Sequence, residues 1–595
     1  MRKTFVVALC LSAVPLFAAD QVGLQVVREA VGLQRNMPAP HIAQAADLAI
    51  VTLAPADETV PEQIDAMRRW NAEGRLPMKN GFTRSIGAAL SVNIASASES
   101  ATHVVAQSAR IGKVAKNSAG NLVWSGSVRV AGADRFRVHL RNVVIPAGTT
   151  FWVYGADGSS TAFGAELIDE NQELYVPSVA GEVAYLEVEV PAGQQASFDI
   201  ADVVQLFTEQ LKTPTPGAQD TPSCLVDMRC INSSTFDVVD LASRGVAHLQ
   251  YLKSGDGYVC SGGLLNDTDD STSIPYLLTA NHCFSTQSSA TSLEAYWDYK
   301  TATCGGAFPS LNTVTRTVGS TLLATSATSD FTFVRMTSIP SNRVFLGWNA
   351  NTLAAGTKLH RLSHPYPDDF AVPAPQFYSA TLLNTSSSVC SARPRPNYLY
   401  STSFQGGTYG GSSGSPTILA GGQVVGQLFG ACGPNPSAGC DAANYTVDGA
   451  FSVTYPNISQ YLNPNGSGSA CTANATTACM LSNRFKVQVK YRPAFDTNPP
   501  DTAASVKSVT GFANPNFESA FFYFNSDSNI EMLVKVLDQG NTNNQGQATI
   551  AVLFATATPL GIELTITDTK NGAVKTYKSN FGSMAGGTDF TAFVK

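Results

Sequence analysis

The chain has 595 residues, 44% of them hydrophobic and only 14% charged, with 48 glycines. That length exceeds what one hydrophobic core serves, so two to four domains are expected, and the composition suits β-rich globular domains with uncharged polar loops rather than disorder. A formal net charge of -7 offers no basic footprint, which argues against nucleic acid as a partner.

At the amino terminus, Arg2 and Lys3 precede an apolar run from Phe5 to Phe17 that ends in Ala18-Ala19. A basic start, a short apolar stretch and small residues after it predict a secretory signal peptide over residues 1–19. The run is too short to anchor in a bilayer, and no later stretch reaches the roughly 18 continuous apolar residues of a membrane span. A secreted protein is expected, outside the cell or in the periplasm or at the surface of a bacterium. The cysteines agree. Apart from Cys10 they are Cys224, Cys230, Cys260, Cys283, Cys304, Cys390, Cys432, Cys440, Cys471 and Cys479, an even set with none at zinc-like spacing. Disulfides are therefore expected, and no metal.

Residues 20–217 read as a β-rich unit. Arg135-Phe136-Arg137-Val138-His139-Leu140 and Tyr185-Leu186-Glu187-Val188-Glu189-Val190 alternate polar and apolar, and Phe151-Trp152-Val153-Tyr154 runs into the turn signal Gly155-Ala156-Asp157-Gly158. A partly helical segment is expected near 61–75, ahead of a small β-sandwich. Thr213-Pro214-Thr215-Pro216-Gly217-Ala218 then forms a stiff exposed linker of the kind proteases nick. Residues 218–465 carry short strands, Gly/Ser-rich loops and eight cysteines, and a second polar linker spans Asn463 to Gly468. In the tail, 471–595, the runs 530–536 and 563–567 read as strands, the latter leading into the hairpin turn signal Asn571-Gly572. Cys471 and Cys479 are expected to bridge to each other. Phe521-Phe522-Tyr523-Phe524 reads as strand core rather than as a binding stripe.

Three stretches carry the chemistry. In Gly410-Gly411-Ser412-Ser413-Gly414-Ser415-Pro416, the Ser413 hydroxyl would need a base for its proton and N–H donors for the developing oxyanion. Glycine at 411 lets the backbone turn so that its N–H and that of Ser413 aim at one spot; a flexible Gly/Ser linker is the bland alternative. In Leu277-Leu278-Thr279-Ala280-Asn281-His282-Cys283 an apolar strand delivers a histidine beside a cysteine, and a bridge from Cys283 to Cys260 would fix the base in place. In Thr328-Ser329-Asp330-Phe331-Thr332-Phe333-Val334 an acid enters an apolar strand, where it is costly to bury unless hydrogen-bonded. Orienting His282 would satisfy it, although Asp298, in Trp297-Asp298-Tyr299, competes on local context alone.

The order His, Asp, Ser is that of chymotrypsin-like proteases and not of subtilisins or α/β-hydrolases. With it, residues 223–464 resemble the bacterial lysyl endopeptidase branch of the trypsin-like serine proteases. The resemblance is carried by Ser223-Cys224 to Cys230, Cys260-Ser261-Gly262-Gly263-Leu264-Leu265, Leu278 to Cys283, Ser329-Asp330-Phe331-Thr332, Gly411 to Pro416 and Gly426-Gln427-Leu428-Phe429-Gly430. It implies an all-β, chymotrypsin-like double β-barrel with the site in the cleft between barrels, flanked by an N-terminal β-sandwich propeptide and a C-terminal β-sandwich module. It further implies a monomeric endopeptidase acting on proteins or peptides by acyl transfer without cofactor or metal. His282 would be the base, Asp330 rather than Asp298 its orienting acid, Ser413 the nucleophile, and the N–H groups of Gly411 and Ser413 the oxyanion hole. Phe429, Gly430, Thr446 and Gly449 would contribute to the substrate pocket. The disulfides implied are Cys260–Cys283 and Cys230–Cys304, with Cys224 reaching Cys432 or Cys440 and Cys390 taking the other.

Two positions depart from the family pattern. Ser412 stands where an Asp usually receives a freed N-terminus, so activation by that salt bridge is not available, and residues 20–217 become the candidate propeptide, a partner in the same chain. Thr446 stands where lysyl endopeptidases carry the Asp that meets the substrate lysine; Asp441 and Asp448 are near without matching, and Phe429 replaces a pocket-wall histidine. Peptidase activity carries over more firmly than lysine preference. A binding protein on a dead protease scaffold would have lost a triad position, and all three are filled. An esterase would place its serine elbow before the Asp and His, the reverse of the order here.

Overall fold

A computed structural model describes the chain from Gln21 to Val594, apart from residues 34, 36, 41–48, 54–58, 96–110, 157–159, 208–223, 270–271, 367–374, 386–389, 464–470, 472, 482, 494–498, 508–517, 544–547 and 570–572. The expected signal peptide, most of both linkers and the Asn571-Gly572 turn lie outside the described residues.

The fold is all-β and chymotrypsin-like, built around two barrels. In the first, the strands pair in the order Thr315–Val318, Glu294–Trp297, Val246–Lys253, Asp256–Leu265, Tyr276–Ala280, Phe331–Met336 and Ser320–Ser326. The first and last of these are consecutive in the chain, joined at Gly319, whose φ of +80° suits a residue without a Cβ. One bent segment thereby closes the ring. Its interior is filled by Leu249, Cys260, Leu277, Trp297 and Val334, all fully buried.

The second barrel runs Pro416–Ile418, Lys358–Ser363, Phe377–Leu383, Tyr398–Gln405, Tyr445–Ala450 and Gln423–Cys432. It closes because Tyr445–Ala450 pairs with both Tyr398–Gln405 and Gln423–Cys432. The cysteines bridge as Cys224–Cys440, Cys230–Cys304, Cys260–Cys283 and Cys390–Cys432, which resolves the two open pairings.

Ahead of the barrels, the described residues between 49 and 206 form a β-sandwich with the helix Thr59–Ala72 packed beside it. One sheet contains Leu122–Val130, Thr150–Tyr154 and Val183–Val190, the other Met78–Ile94, Arg135–Val144 and Ala196–Leu206. Trp124, Phe136, Phe151 and Phe198 fill the space between them. This unit is joined to the first barrel by backbone pairing. Residues Met78, Lys79 and Gly81 pair antiparallel with Val259, Tyr258 and Gly257, so the second sheet continues into the first barrel. Upstream, Gln21–Val22, Gln25–Val27 and Val31–Gly32 add short strands to Gly347–Asn349, Arg343–Phe345 and Ser338–Ile339.

The carboxy-terminal unit holds two five-stranded sheets. Alternating residues of Phe485–Tyr491, Met532–Thr542 and Ile562–Asp568 face a common core, which also contains Phe522 and Phe524, so the aromatic run is strand core as its alternation requires. Cys471 and Cys479 are bridged, and Arg484 forks onto the buried Asp568 at 3.0 and 2.7 Å.

Candidate active site

The strand Tyr276–Ala280 ends at the His282 loop, which Cys260–Cys283 ties to the neighbouring strand. Asp330 precedes the strand Phe331–Met336, the partner of Tyr276–Ala280 on its other side, so strand pairing alone brings the acid level with the histidine. The two are clamped twice. His282 Nδ1 lies 2.7 Å from Asp330 Oδ2, and the His282 backbone N–H donates to Oδ1 at 2.9 Å. Asn281 N–H donates to the Asp330 carbonyl at 3.0 Å, and Gln427 Nε2 donates to the carbonyls of Ser329 and Asp330 at 2.6 and 3.2 Å. These bonds hold Asp330 at a φ of 53°, a left-handed conformation that Asp tolerates better than most residues. Asp298 is elsewhere, paired with Arg343 and Lys300.

Ser413 arrives on the turn before Pro416–Ile418 and is almost fully buried. Its carbonyl accepts from Ser261 N–H at 2.8 Å, and Gly414 N–H donates to Leu428 O at 2.8 Å. Gly414 (φ +78°) passes so close to the His282 strand that a Cβ there would collide with the Thr279 hydroxyl and stand 2.8 Å from Ala280 N. At Gly411 (φ +89°) a Cβ would stand 2.6 Å from the His364 carbonyl. The amides of Ser412, Gly414 and Ser415 all donate within the protein. Among the described residues, those of Gly411 and Ser413 do not, so two N–H groups beside the serine remain available. His282 Nε2, the nitrogen opposite the Asp330 contact, is buried and also without a hydrogen-bond partner.

The loop is braced from below by Ser363 and Arg361, which the sequence did not single out. Ser412 is completely buried, and its hydroxyl accepts from Ser363 Oγ at 3.0 Å. Arg361, on the same strand as Ser363, donates to the carbonyl and hydroxyl of Ser415, both at 3.1 Å, to Thr417 Oγ1 at 2.9 Å and to Asp448 Oδ1 at 2.5 Å. An Arg inside Leu359-His360-Arg361-Leu362 had to find a buried acid, and Asp448 inside Val447-Asp448-Gly449 had to find a cation; that complementary need was the available signal. His248 is fully buried nearby, 3.1 Å from the Tyr366 hydroxyl, and burial, with His364 close by, holds its pKa well below the usual range.

Of the four pocket residues, Phe429 and Gly430 line a cavity of about 500 Å³ together with Ser413. Phe429 meets His282 edge-on, with ring centroids 5.6 Å apart. Thr446 is buried on the neighbouring strand opposite Ala431, and a Cβ at Gly449 would collide with the Ser329 carbonyl. The turn thus sets the Ser413 hydroxyl beside two backbone N–H groups that bond to nothing among the described residues. The cluster Cys260, His282, Cys283 has metal-like proximity, but both sulfurs are spent in the disulfide.

Residues 218–446 match the family described as lysyl endopeptidase, C-terminal domain. The chain is 25% identical over 353 residues to the lysyl endopeptidase of Pseudomonas aeruginosa, an alignment covering 57% of this chain and 74% of the relative. Among solved structures, the MamO protease domain of Magnetospirillum magneticum shares 14% identity at a TM-score of 0.23, covering 36% of this chain and 95% of that one. An inactive form of Rv3671c from M. tuberculosis H37Rv shares 17% at 0.25, covering 38% and 91%.

Proposed function

For this chain, a lysyl endopeptidase-like protein and a peptidase of the serine-protease kind, we propose that His282, Asp330 and Ser413 cleave peptide bonds through an acyl-enzyme after export from the cell. The observation that carries the reading is the double clamp of Asp330 on His282, which fixes the imidazole through Nδ1 and leaves Nε2 without a hydrogen-bond partner. His282 takes the Ser413 proton as Oγ attacks the substrate carbonyl, and Asp330 stabilises the imidazolium that results. The free amides of Gly411 and Ser413 receive the oxyanion, each donor contributing about 3 kcal/mol in comparable sites. His282 then protonates the leaving amine, and water releases the acyl group.

Export is supported by the basic and apolar amino terminus and by five disulfides that pair all ten remaining cysteines. The sandwich and its leading strands act as a propeptide. The support is the path of residues 71–76 and Met78, which line the same cavity as Ser413 and so stand where a substrate would enter. Scission in the 213–218 linker would leave that unit held only by noncovalent contacts.

The test is secretion of the full chain, followed by assay of the processed form on casein beside Ser413→Ala and His282→Ala. Turnover by the parent alone supports the reading. Casein hydrolysis that survives Ser413→Ala refutes it.

A further inference from the structure

Between the helix Thr59–Ala72 and the strand Met78–Ile94, residues 73–77 form a turn along the cavity wall, and both its ends are fixed. On one side, Leu76 reaches into the cavity, its Cδ1 standing 3.5 Å from where a Cβ on Gly430 would lie. Two residues on, Met78 pairs with Val259 in the strand ladder, and a Cβ on Gly410 would stand 2.7 Å from the Met78 sulfur. Ser413 lines the same cavity. The loop between the flanking elements is tied shut. Asn71 exchanges two hydrogen bonds with the Lys79 backbone at 3.0 and 2.9 Å, Trp70 Nε1 donates to the Pro77 carbonyl at 3.0 Å, and Lys79 Nζ reaches Asp256 at 2.5 Å. A short turn pinned by its own frame therefore fills part of the cavity that Ser413 lines, with Leu76 at the pocket.

Among the described residues, the barrels bring no charged side chain to the pocket wall. The protease contributes residues such as Thr408, Tyr409, Leu428, Phe429, Ala431 and Ser437 and no carboxylate; the two charged lining residues, Glu73 and Arg75, belong to the turn and pair with each other at 2.7 Å. Both acids that the sequence places nearby are committed elsewhere. Asp448 is completely buried against Arg361. Asp441 accepts from Asn435 Nδ2 at 2.6 Å and from Ala443 N–H at 2.9 Å in an exposed loop. The charge set against Phe429 is a cation, Arg393, 4.5 Å from the ring centroid. An ammonium entering this pocket would lose water and gain no counter-ion.

Resting on the peptidase reading above, we infer that the pocket selects an uncharged, apolar side chain of about leucine size immediately before the bond cut, and that Leu76 is the chain's own occupant of that position. Discrimination against lysine is on the order of 100-fold in kcat/KM, the scale of a pocket contact mismatched in polarity.

Two measurements test it. Quenched-fluorescent peptides that differ only at the residue before the cut, bearing Leu, Met, Phe, Lys or Asp, are assayed with the processed protein. Intact full chain bearing Leu76→Met or Leu76→Lys is then compared with its parent; the position is 37% exposed, so neither change threatens the fold. The inference expects Leu and Met peptides to lead, with Leu76→Met still blocked and Leu76→Lys releasing at least tenfold more activity. Lysine peptides cleaved as fast as leucine ones, or Leu76→Lys blocked as tightly as the parent, would overturn it. A fluorophosphonate that still labels Ser413 in that case leaves the peptidase reading standing; absence of labelling in the processed protein removes both.

Discussion

Glu294 joins the amino-terminal sandwich to the first barrel, and neutralising it should separate them. The side chain is completely buried and accepts from Ser178 N–H at 2.6 Å, Ser178 Oγ at 2.7 Å and the Tyr296 hydroxyl at 2.9 Å. Burial on its own would raise the carboxyl's pKa. The guanidiniums of Arg316 and Arg137, the Ser178 bond and Arg135 outweigh it, and the pKa is held at about 2 against an ordinary 4.5. Two of those guanidiniums, Arg135 and Arg137, come from the sandwich. Because the folded pKa is depressed, the contribution is complete above about 4.5 and is lost as pH falls through about 2. The difference corresponds to roughly 3 kcal/mol, and removing the charge strands buried guanidiniums at a cost of about 3–5 kcal/mol. Glu294→Gln, in a Ser413→Ala background that prevents self-digestion, should therefore lose about 3 kcal/mol in urea unfolding at pH 7. Its gap from the parent should close as the pH is lowered toward 2. A variant within 0.5 kcal/mol of its parent at pH 7, or a gap that does not change with pH, would refute the reasoning.

Other outcomes follow from the same geometry. Arg361→Met leaves Asp448 buried without its cation and should cost about 3–5 kcal/mol in chemical denaturation, while Arg361→Met/Asp448→Leu should recover most of it. If Arg361 positions the nucleophile turn through Ser415, kcat in the double variant stays low with KM little changed. Replacing Cys260 and Cys283 by Ser opens a bridge of sequence separation 23 and should cost about 3 kcal/mol, read as a lowered Tm. Asp330→Asn should lower kcat by on the order of 10⁴ without unfolding the protein, since the imidazole loses its oriented tautomer. Residues 471–595, with a core of their own, should unfold cooperatively as an isolated fragment by circular dichroism.

What could be read from the residues was local. His282 was legible because an apolar strand and an adjacent half-cystine frame it, and Ser413 because glycine at 411 and 414 signals a turn that no side chain tolerates. The helix expected near 61–75 is found at Thr59–Ala72, and the alternating segments of the sandwich and tail are strands, because period-two burial is written directly into the chain. The acid was ambiguous, since Asp298 and Asp330 have similar neighbours and both adopt positive φ; only strand pairing shows which one reaches the histidine. Asp448 stood out beside the pocket, yet it is the buried partner of Arg361, a contact across 87 residues that no local pattern encodes. The first strands, at 21–32, are two or three residues long, too short for alternation to register, and the lodging of Leu76 beside Gly430 depends on two distant segments folding together.

The central claim is that Ser413 is a working nucleophile activated by His282, and reaction of the processed protein with a fluorophosphonate, followed by peptide mapping, tests it most directly. The account predicts one covalent adduct at Ser413, absent from Ser413→Ala and strongly slowed in His282→Ala. Folded, processed protein that takes up no label, or takes it up at another serine, would contradict it.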